Sequence, residues 1–124
     1  MLFRLASLLY GGTTARERFR HRYEVEPELI ESLEKAGLVF SGRHPVHPIM
    51  QVLELPVARE AGDDRGCHPF FFGAQFHPEL TSRPLRPQPA FMGLVAAALA
   101  KRHGDASVRE PERWLRSANA DQPA

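Results

Sequence analysis

The sequence has 124 residues, of which 43% are hydrophobic and 25% are charged, and its formal net charge is +1 at pH 7. A chain of this length can bury one hydrophobic core and is too short for two domains. The small net charge argues against a dedicated nucleic-acid-binding protein, which usually carries a clear basic excess. The single cysteine excludes an internal disulfide, so nothing in the sequence requires an oxidising compartment.

The first ten residues form an apolar stretch that is interrupted by Arg4 and ends at Gly11 and Gly12. This stretch is too short to span a membrane and lacks a clear cleavage pattern. It predicts one or two helical turns. We therefore expect a cytoplasmic protein with no membrane partner.

Residues 16–25 alternate between arginine and other residue types. The period of two predicts a strand in which the arginines share one face. These arginines are Arg16, Arg18, Arg20 and Arg22. The opposite face would carry Glu17, Phe19, His21 and Tyr23. The arginine stripe raises nucleic-acid binding as a weaker alternative, although a solvated face is the simpler interpretation for Arg16 and Arg18.

A helix is predicted over residues 27–36, because Pro27 suits a first helical position and Gly37 suits a helix end. Its apolar residues fall on one face. Two strands are predicted to follow, at residues 38–41 and 49–55. A proline-rich connection separates them.

Residues 57–66 are charged and aperiodic and predict an exposed loop. Residues 69–76 form a continuous apolar run, which is typical of a strand buried on both faces. The prolines between 84 and 89 predict an extended linker. A second helix is predicted over residues 91–100, ending near Gly104. Helices and strands in mixture, with one buried strand, predict an α/β layered fold.

His77, Pro78 and Glu79 follow the predicted buried strand directly. Residues two apart in extended backbone point the same way, and Pro78 disfavours helical geometry at His77. A carboxylate beside an imidazole fixes its tautomer and stabilises the imidazolium, as a general base requires. A bare His-Pro-Glu is also compatible with a strand end and a solvated loop residue.

Several segments, taken in their order along the chain, resemble segments of one known protein family. Residues 75–79 (QFHPE) resemble the C-terminal catalytic signature of class I glutamine amidotransferases. Residues 20–25 (RHRYEV), the helix at 27–36, residues 37–42 (GLVFSG) and residues 82–84 (SRP) are similar to CTP synthase in the same order. The resemblance covers roughly residues 16 to 100.

The resemblance implies roles for three residues. In that family a Cys-His-Glu triad hydrolyses glutamine, and the released ammonia aminates UTP in a separate, ATP-dependent synthase domain. By resemblance, His77 is the base, Glu79 is its orienting carboxylate and Arg22 binds the substrate glutamine. A guanidinium fork suits a carboxylate bidentately, so the last role is physically reasonable.

The resemblance also implies the fold, an incomplete class I glutamine amidotransferase-like α/β layered fold. It corresponds to the C-terminal half, with a mixed sheet flanked by helices. We assign residues 1–107 to this partial domain and residues 108–124 to a polar C-terminal tail.

The family's Gly-x-Cys-x-Gly-x-Gln nucleophile motif is not in the sequence, and neither is the synthase domain. Cys67 lies ten positions before His77, so we interpret it as an inert thiol. No cofactor is expected in this chain, because ATP and magnesium belong to the synthase domain by resemblance. The expected partners are glutamine and the missing synthase and N-terminal amidotransferase segments, in the same polypeptide or another chain. Without them we expect the chain to be inactive.

Two alternatives remain open. The chain could be a non-catalytic protein that keeps a glutamine pocket or docks on a full-length synthase as a regulator. A zinc site is the weaker option, since the spacings match no common pattern and we expect no metal. Its ligands would come from His44, His47, Cys67 and His68.

Overall fold

A computed structural model describes residues 5–56 and 68–104, and it combines helices with a small sheet. The predicted α/β class is confirmed. The helices are α1 (Leu5–Tyr10), α2 (Pro27–Lys35) and α3 (Pro89–His103), and the strands are β1 (Val39–Arg43), β2 (Met50–Glu54) and β3 (Phe72–Ala74). A short 3-10 helix, Pro78–Leu80, lies between β3 and α3. None of the helices in these two ranges is long and apolar enough to cross a membrane.

The three strands form one sheet in the order β1-β2-β3. Both pairings are antiparallel, so this described part of the chain does not show the expected mixture of strand directions. The strands predicted at 38–41 and 49–55 are confirmed as β1 and β2. The register between them shifts on either side of Gly42.

The strand predicted over residues 69–76 is wrong in length and in burial. The strand β3 has only three residues, Gln75 adds one backbone hydrogen bond to Gln51 of β2, and β3 lies at the edge of the described sheet. Phe71 is 43% exposed, whereas Phe70 and Phe72 pack against the core formed by Leu9 and Ala90. The apolar run therefore covers α1 and α3 from one side. An apolar run alone cannot show whether both faces of a strand are covered.

The strand predicted over residues 16–25 is also wrong. Phe19 makes one isolated antiparallel bridge with Phe76, and no ladder continues from it within the described residues. The segment has no regular secondary structure apart from this single bridge. The predicted alternation in burial is seen in part, because Glu17 and His21 are half-buried while the four arginines are exposed.

Helix α2 matches its prediction closely. Pro27 is its first residue, Ala36 is its C-cap, and Gly37 follows with a φ of 101° that favours glycine. Its apolar face, however, is not buried among the described residues, and Leu29 is 54% exposed. The amphipathic pattern predicted the helix but not what the helix packs against.

Helix α3 is longer than predicted at both ends. Pro89 is its first residue, and the side chain of Gln88 accepts the N–H of Ala90 at 2.7 Å as an N-cap. The predicted end at Gly104 is confirmed. The prediction of an extended linker before the helix is wrong, because Arg83 and Arg86 exchange backbone hydrogen bonds and close a turn.

Helix α1 confirms the helical turns predicted near the N-terminus, and two contacts fix it. Leu9 is only 2% exposed and packs beside α3, where a Cβ on Gly93 would lie 2.6 Å from Leu9 Cδ2. Glu54, also 2% exposed, accepts the N–H of Leu5 at 2.9 Å and of Ala6 at 3.0 Å. Sheet and α3 therefore hold α1 from two sides. The predicted loop at 57–66, Cys67 and the predicted tail lie outside the described residues.

Candidate functional site

The structure brings His77 and Glu79 together. The imidazole Nδ1 of His77 lies 2.8 Å from a carboxylate oxygen of Glu79. Both side chains remain open to solvent, with 42% of His77 and 59% of Glu79 exposed. An imidazole beside a carboxylate is the arrangement that the sequence analysis predicted.

The charge on Glu79 fixes the tautomer of His77. The pKa of Glu79 is lowered, first by a hydrogen bond from its own backbone N–H and then by the hydrogen bond to His77. The carboxylate is therefore ionised at neutral pH, and an ionised carboxylate can only accept hydrogen bonds. Nδ1 of His77 must therefore carry a proton, and in the neutral imidazole it is Nε2 that keeps the lone pair able to accept one.

Local backbone geometry sets up this pair. His77 is extended, with φ −106° and ψ 92°, and it is the N-cap residue of the 3-10 helix that begins at Pro78. The N–H of Leu80 bonds to the His77 carbonyl, and the N–H groups of Thr81 and Ser82 bond to the Pro78 carbonyl. One tight turn therefore brings Glu79 back toward His77. The Pro78 ring suits the first position of such a turn.

The segment of residues 17–19 lies against this turn. The N–H of His77 donates to the carbonyl of Arg18 at 2.9 Å, and Phe19 forms its bridge with Phe76. The rings of Phe19 and Phe76 meet edge to face, with centroids 6.0 Å apart. The hydrogen bond is part of that bridge, so one backbone bridge and one ring contact hold the chain where the His77 turn begins.

A polar network that the sequence analysis missed continues from this segment. The Glu17 carboxylate accepts hydrogen bonds from Tyr10 at 2.7 Å, Gln88 at 2.7 Å and Thr81 at 3.0 Å. Gln88 is 3% exposed. The one sequence signal for this role was the predicted place of Glu17 on the face opposite the arginines.

Burial of this network affects the pKa of Tyr10. Its pKa is raised above the ordinary value by removal of the phenol from water, and then by its hydrogen bond to Glu17 and the charge of that carboxylate. Gln88 also donates to the Tyr10 hydroxyl, at 2.6 Å. The phenol therefore stays protonated and donates to Glu17.

The structure does not bring Arg22 into contact with the pair. Arg22 is exposed and lies at a bend in the segment between Phe19 and α2. Across residues 5–56 and 68–104, no hydrogen bond or ion pair engages its guanidinium, and no contact joins it to His77 or Glu79. Its role in binding glutamine stays a prediction.

The residues of the zinc alternative are partly engaged elsewhere. His44 and His47 stack with ring centroids 4.8 Å apart, and Nδ1 of His44 accepts the N–H groups of Val46 and His47. Nδ1 of His68 likewise accepts a backbone N–H. Among the described residues, no three His, Cys, Asp or Glu side chains group as metal ligands. Cys67 lies outside those residues, so a site that includes it is not tested.

Chemically, the pair can accept a proton from a nucleophile and return it to a leaving group. It supplies a base, an orienting carboxylate and solvent access. It does not supply a nucleophile, and no cysteine lies within residues 5–56 or 68–104. Within those residues the pair therefore stands without a thiol beside it.

Comparisons with known proteins agree with the resemblance seen in the sequence. The family model described as "Glutamine amidotransferase class-I" matches residues 3–97. CTP synthase of Methanosphaerula palustris is 54% identical over 93 residues, which cover 75% of this chain and 15% of that protein. CTP synthase of Natronomonas pharaonis is 54% identical over 95 residues, which cover 77% of this chain and 15% of that protein.

A solved structure is similar as well. The chain described as "Trypanosoma brucei CTPS - glutaminase domain with bound acivicin" has a TM-score of 0.59 and 31% identity, and the match covers 77% of this chain and 34% of that one. This chain thus spans about 15% of the length of the curated relatives that it matches. It spans about a third of the matched glutaminase domain.

Proposed function

The chain belongs to the class I glutamine amidotransferase family, and on that premise we propose that it supplies the base half of a glutamine-hydrolysing site of a CTP synthase. His77 is the general base, Glu79 orients it, and Arg22 binds the α-carboxylate of glutamine. The observation that carries the proposal is the 2.8 Å contact between His77 Nδ1 and Glu79. Similarity to CTP synthases supports the choice of glutamine as the substrate.

Proton transfer through His77 would work in both directions. A cysteine thiol from a segment outside these 124 residues would attack the side-chain carboxamide carbon of glutamine while Nε2 of His77 takes the thiol proton. The C–N bond would then break, and the imidazolium would return the proton to the departing ammonia. Water would hydrolyse the resulting thioester with His77 again as base, giving glutamate and the free thiol.

Glu79 would act through charge and orientation. Its ionised carboxylate stabilises the imidazolium that forms when Nε2 accepts a proton, and it holds Nδ1–H in place throughout. The ammonia would be used by the rest of the synthase to convert UTP into CTP. ATP and magnesium would be needed there.

The test uses the polypeptide or complex that carries this sequence, purified from its source through a C-terminal tag. We expect this material to hydrolyse glutamine. The substitution His77→Ala should lower kcat by about 10²–10⁴-fold, the range for loss of a general base. Cys67→Ser should leave the rate unchanged. Glutamine binding without hydrolysis, unaffected by His77→Ala, would instead identify a non-catalytic glutamine-binding protein.

A matched pair of arginine variants tests substrate binding. Arg22→Lys loses the bidentate fork and should raise KM by about tenfold, because a hydrogen bond to a charged group is worth on the order of 1.5–3 kcal/mol. Arg16→Lys makes the same chemical change on the same exposed segment. Equal effects of the two variants on KM would remove Arg22 from the site.

A further inference from the structure

The segment of residues 17–19 contacts the turn that carries the His77–Glu79 pair at two points. The Glu17 carboxylate accepts the Thr81 hydroxyl at 3.0 Å, just beyond the 3-10 helix. The Arg18 carbonyl accepts the N–H of His77 at 2.9 Å, just before that helix. That hydrogen bond belongs to the isolated antiparallel bridge between Phe19 and Phe76. The turn is thus held on both sides of the catalytic pair.

The Glu17 carboxylate is itself fixed from the interior. Its Oε1 accepts from Tyr10 and from Gln88, each at 2.7 Å, which leaves Oε2 directed at Thr81. Gln88 is 3% exposed and also caps α3 through Ala90. The network therefore links the turn to the first residues of a fifteen-residue helix.

Thr81 is the link between this network and the turn. It is the C-cap of the 3-10 helix, and its hydroxyl lies 3.0 Å from Glu17 Oε2 and 3.3 Å from the Pro78 carbonyl. The Thr81 N–H also bonds to the Pro78 carbonyl. A displacement of Thr81 would move Pro78, and with it the peptide that joins His77 to Glu79.

We infer that Glu17 is a positioning residue for the His77–Glu79 pair, and that it acts through the hydroxyl of Thr81. The inference rests on the proposed function of that pair. Glu17 lies sixty positions before His77 in the chain and gives no sequence motif with it. Its part is to keep the turn in the geometry in which Nδ1 and the carboxylate meet.

The experiment compares Thr81→Val with Thr81→Ser in the tagged polypeptide or complex. Valine matches the shape of threonine and removes the hydroxyl, whereas serine keeps it. We expect Thr81→Val to lower kcat for glutamine hydrolysis by about tenfold or more, because misplacement of a catalytic group is costly. KM should change by less than about twofold, since glutamine binding is not touched. Thr81→Ser, which keeps the hydroxyl, should have a kcat close to that of the wild-type protein.

A second readout does not depend on activity. Hydrogen exchange of the amides at residues 80–82, which bond back to His77 and Pro78, should accelerate in Thr81→Val and recover in Thr81→Ser. Faster exchange with an unchanged kcat would overturn the positioning role. Unchanged exchange would overturn the link itself. If the wild-type material hydrolyses no glutamine, the proposed function fails, and exchange alone decides whether Glu17 holds the turn.

Tyr10→Phe is the control within the same network. It removes one hydrogen-bond donor to Glu17 and keeps the hydrogen bond between Thr81 and Glu17. Because Gln88 still donates to Oε1 of Glu17, we expect a lower melting temperature with a smaller change in kcat and in exchange at residues 80–82 than Thr81→Val gives. A loss of kcat as large as that in Thr81→Val would show a general effect of stability and would overturn the inference.

Discussion

Nδ1 of His77 lies 2.8 Å from Glu79 across a single proline. The contact is made within one turn of backbone, so the pair forms wherever residues 77–81 adopt this turn. The contact between His77 and Glu79 is local in sequence. The contacts that hold the turn, from Glu17 to Thr81 and from Arg18 to His77, are long-range.

The first prediction concerns the titration of Glu79. Its folded-state pKa lies below the ordinary value, so the stabilisation is present above the ordinary pKa of about 4.3 and is lost as pH falls through the folded pKa. The carboxyl carbon of Glu79, followed by NMR, should titrate at lower pH in the folded chain than in the denatured chain.

His77→Ala separates the causes of that shift. The midpoint should rise only part of the way, because the largest cause, the hydrogen bond from Glu79's own backbone N–H, remains. A full return to the denatured-state midpoint would mean that His77 accounts for the whole shift. A folded midpoint at or above the denatured one would contradict the geometry.

The second prediction concerns Tyr10 at alkaline pH. Its folded-state pKa is raised by burial and by Glu17, so its stabilising contribution is complete below the unfolded value of about 10 and is lost as pH rises. Stability should fall above pH ~10, when unfolded Tyr10 ionises and folded Tyr10 does not. Tyr10→Phe should lose that part of the dependence.

Tyrosinate absorbance measures this titration directly. The chain has two tyrosines, and Tyr23 is 88% exposed. In a Tyr23→Phe background only Tyr10 contributes to the signal. Its absorbance should then rise together with loss of the helical signal in circular dichroism. Ionisation of Tyr10 in a chain that stays folded near pH 10 would show that the phenol is not buried as described.

The sequence predicted local features well. Pro27 and Gly37 marked the bounds of α2, Gly104 marked the end of α3, and His77-Pro78-Glu79 identified the pair. Each signal is a residue whose own backbone preference or side-chain reach decides the local structure. Such preferences act over a few positions and can be found from one chain.

Features that depend on neighbours were not predictable in the same way. Residues 16–25 alternate as a strand does, yet only Phe19 pairs, because a strand also needs a partner along its length. Phe71 belongs to an apolar run, yet it is 43% exposed at the edge of the sheet. Glu17 meets Thr81 across 64 positions, a contact that only the fold creates.

The third prediction concerns Glu54, a buried carboxylate that accepts from two amides of α1 and from the Ser41 hydroxyl. Glu54→Leu should reduce the free energy of unfolding by about 1–3 kcal/mol or more, since the Leu5 N–H would be left buried without an acceptor. Ser41→Ala is the matched control. It removes one donor and leaves both amide bonds, so its cost should be smaller, about 1 kcal/mol. Equal costs in denaturant melts would show that α1 is not held by this carboxylate.

The last prediction concerns Gly93, in the middle of α3. Alanine normally stabilises a helix by about 1 kcal/mol relative to glycine. At Gly93 a Cβ would lie 2.6 Å from Leu9 Cδ2 and 2.6 Å from Phe70 Cε2, and Leu9 is 2% exposed, so it has little room to move. Gly93→Ala should therefore reduce the free energy of unfolding by about 1–3 kcal/mol, the cost of overpacking.

A double-mutant cycle with Leu9→Ala tests the cause. Leu9→Ala alone should cost about 2–5 kcal/mol as a buried truncation. If the clash with Leu9 dominates, the double variant should be more stable than the sum of the single effects by about 1 kcal/mol or more, because the added methyl group fills part of the space that Leu9 leaves. Simple additivity would assign the strain to Phe70 instead. A stabilising Gly93→Ala would mean that α1 and α3 are not packed as closely as the structure places them.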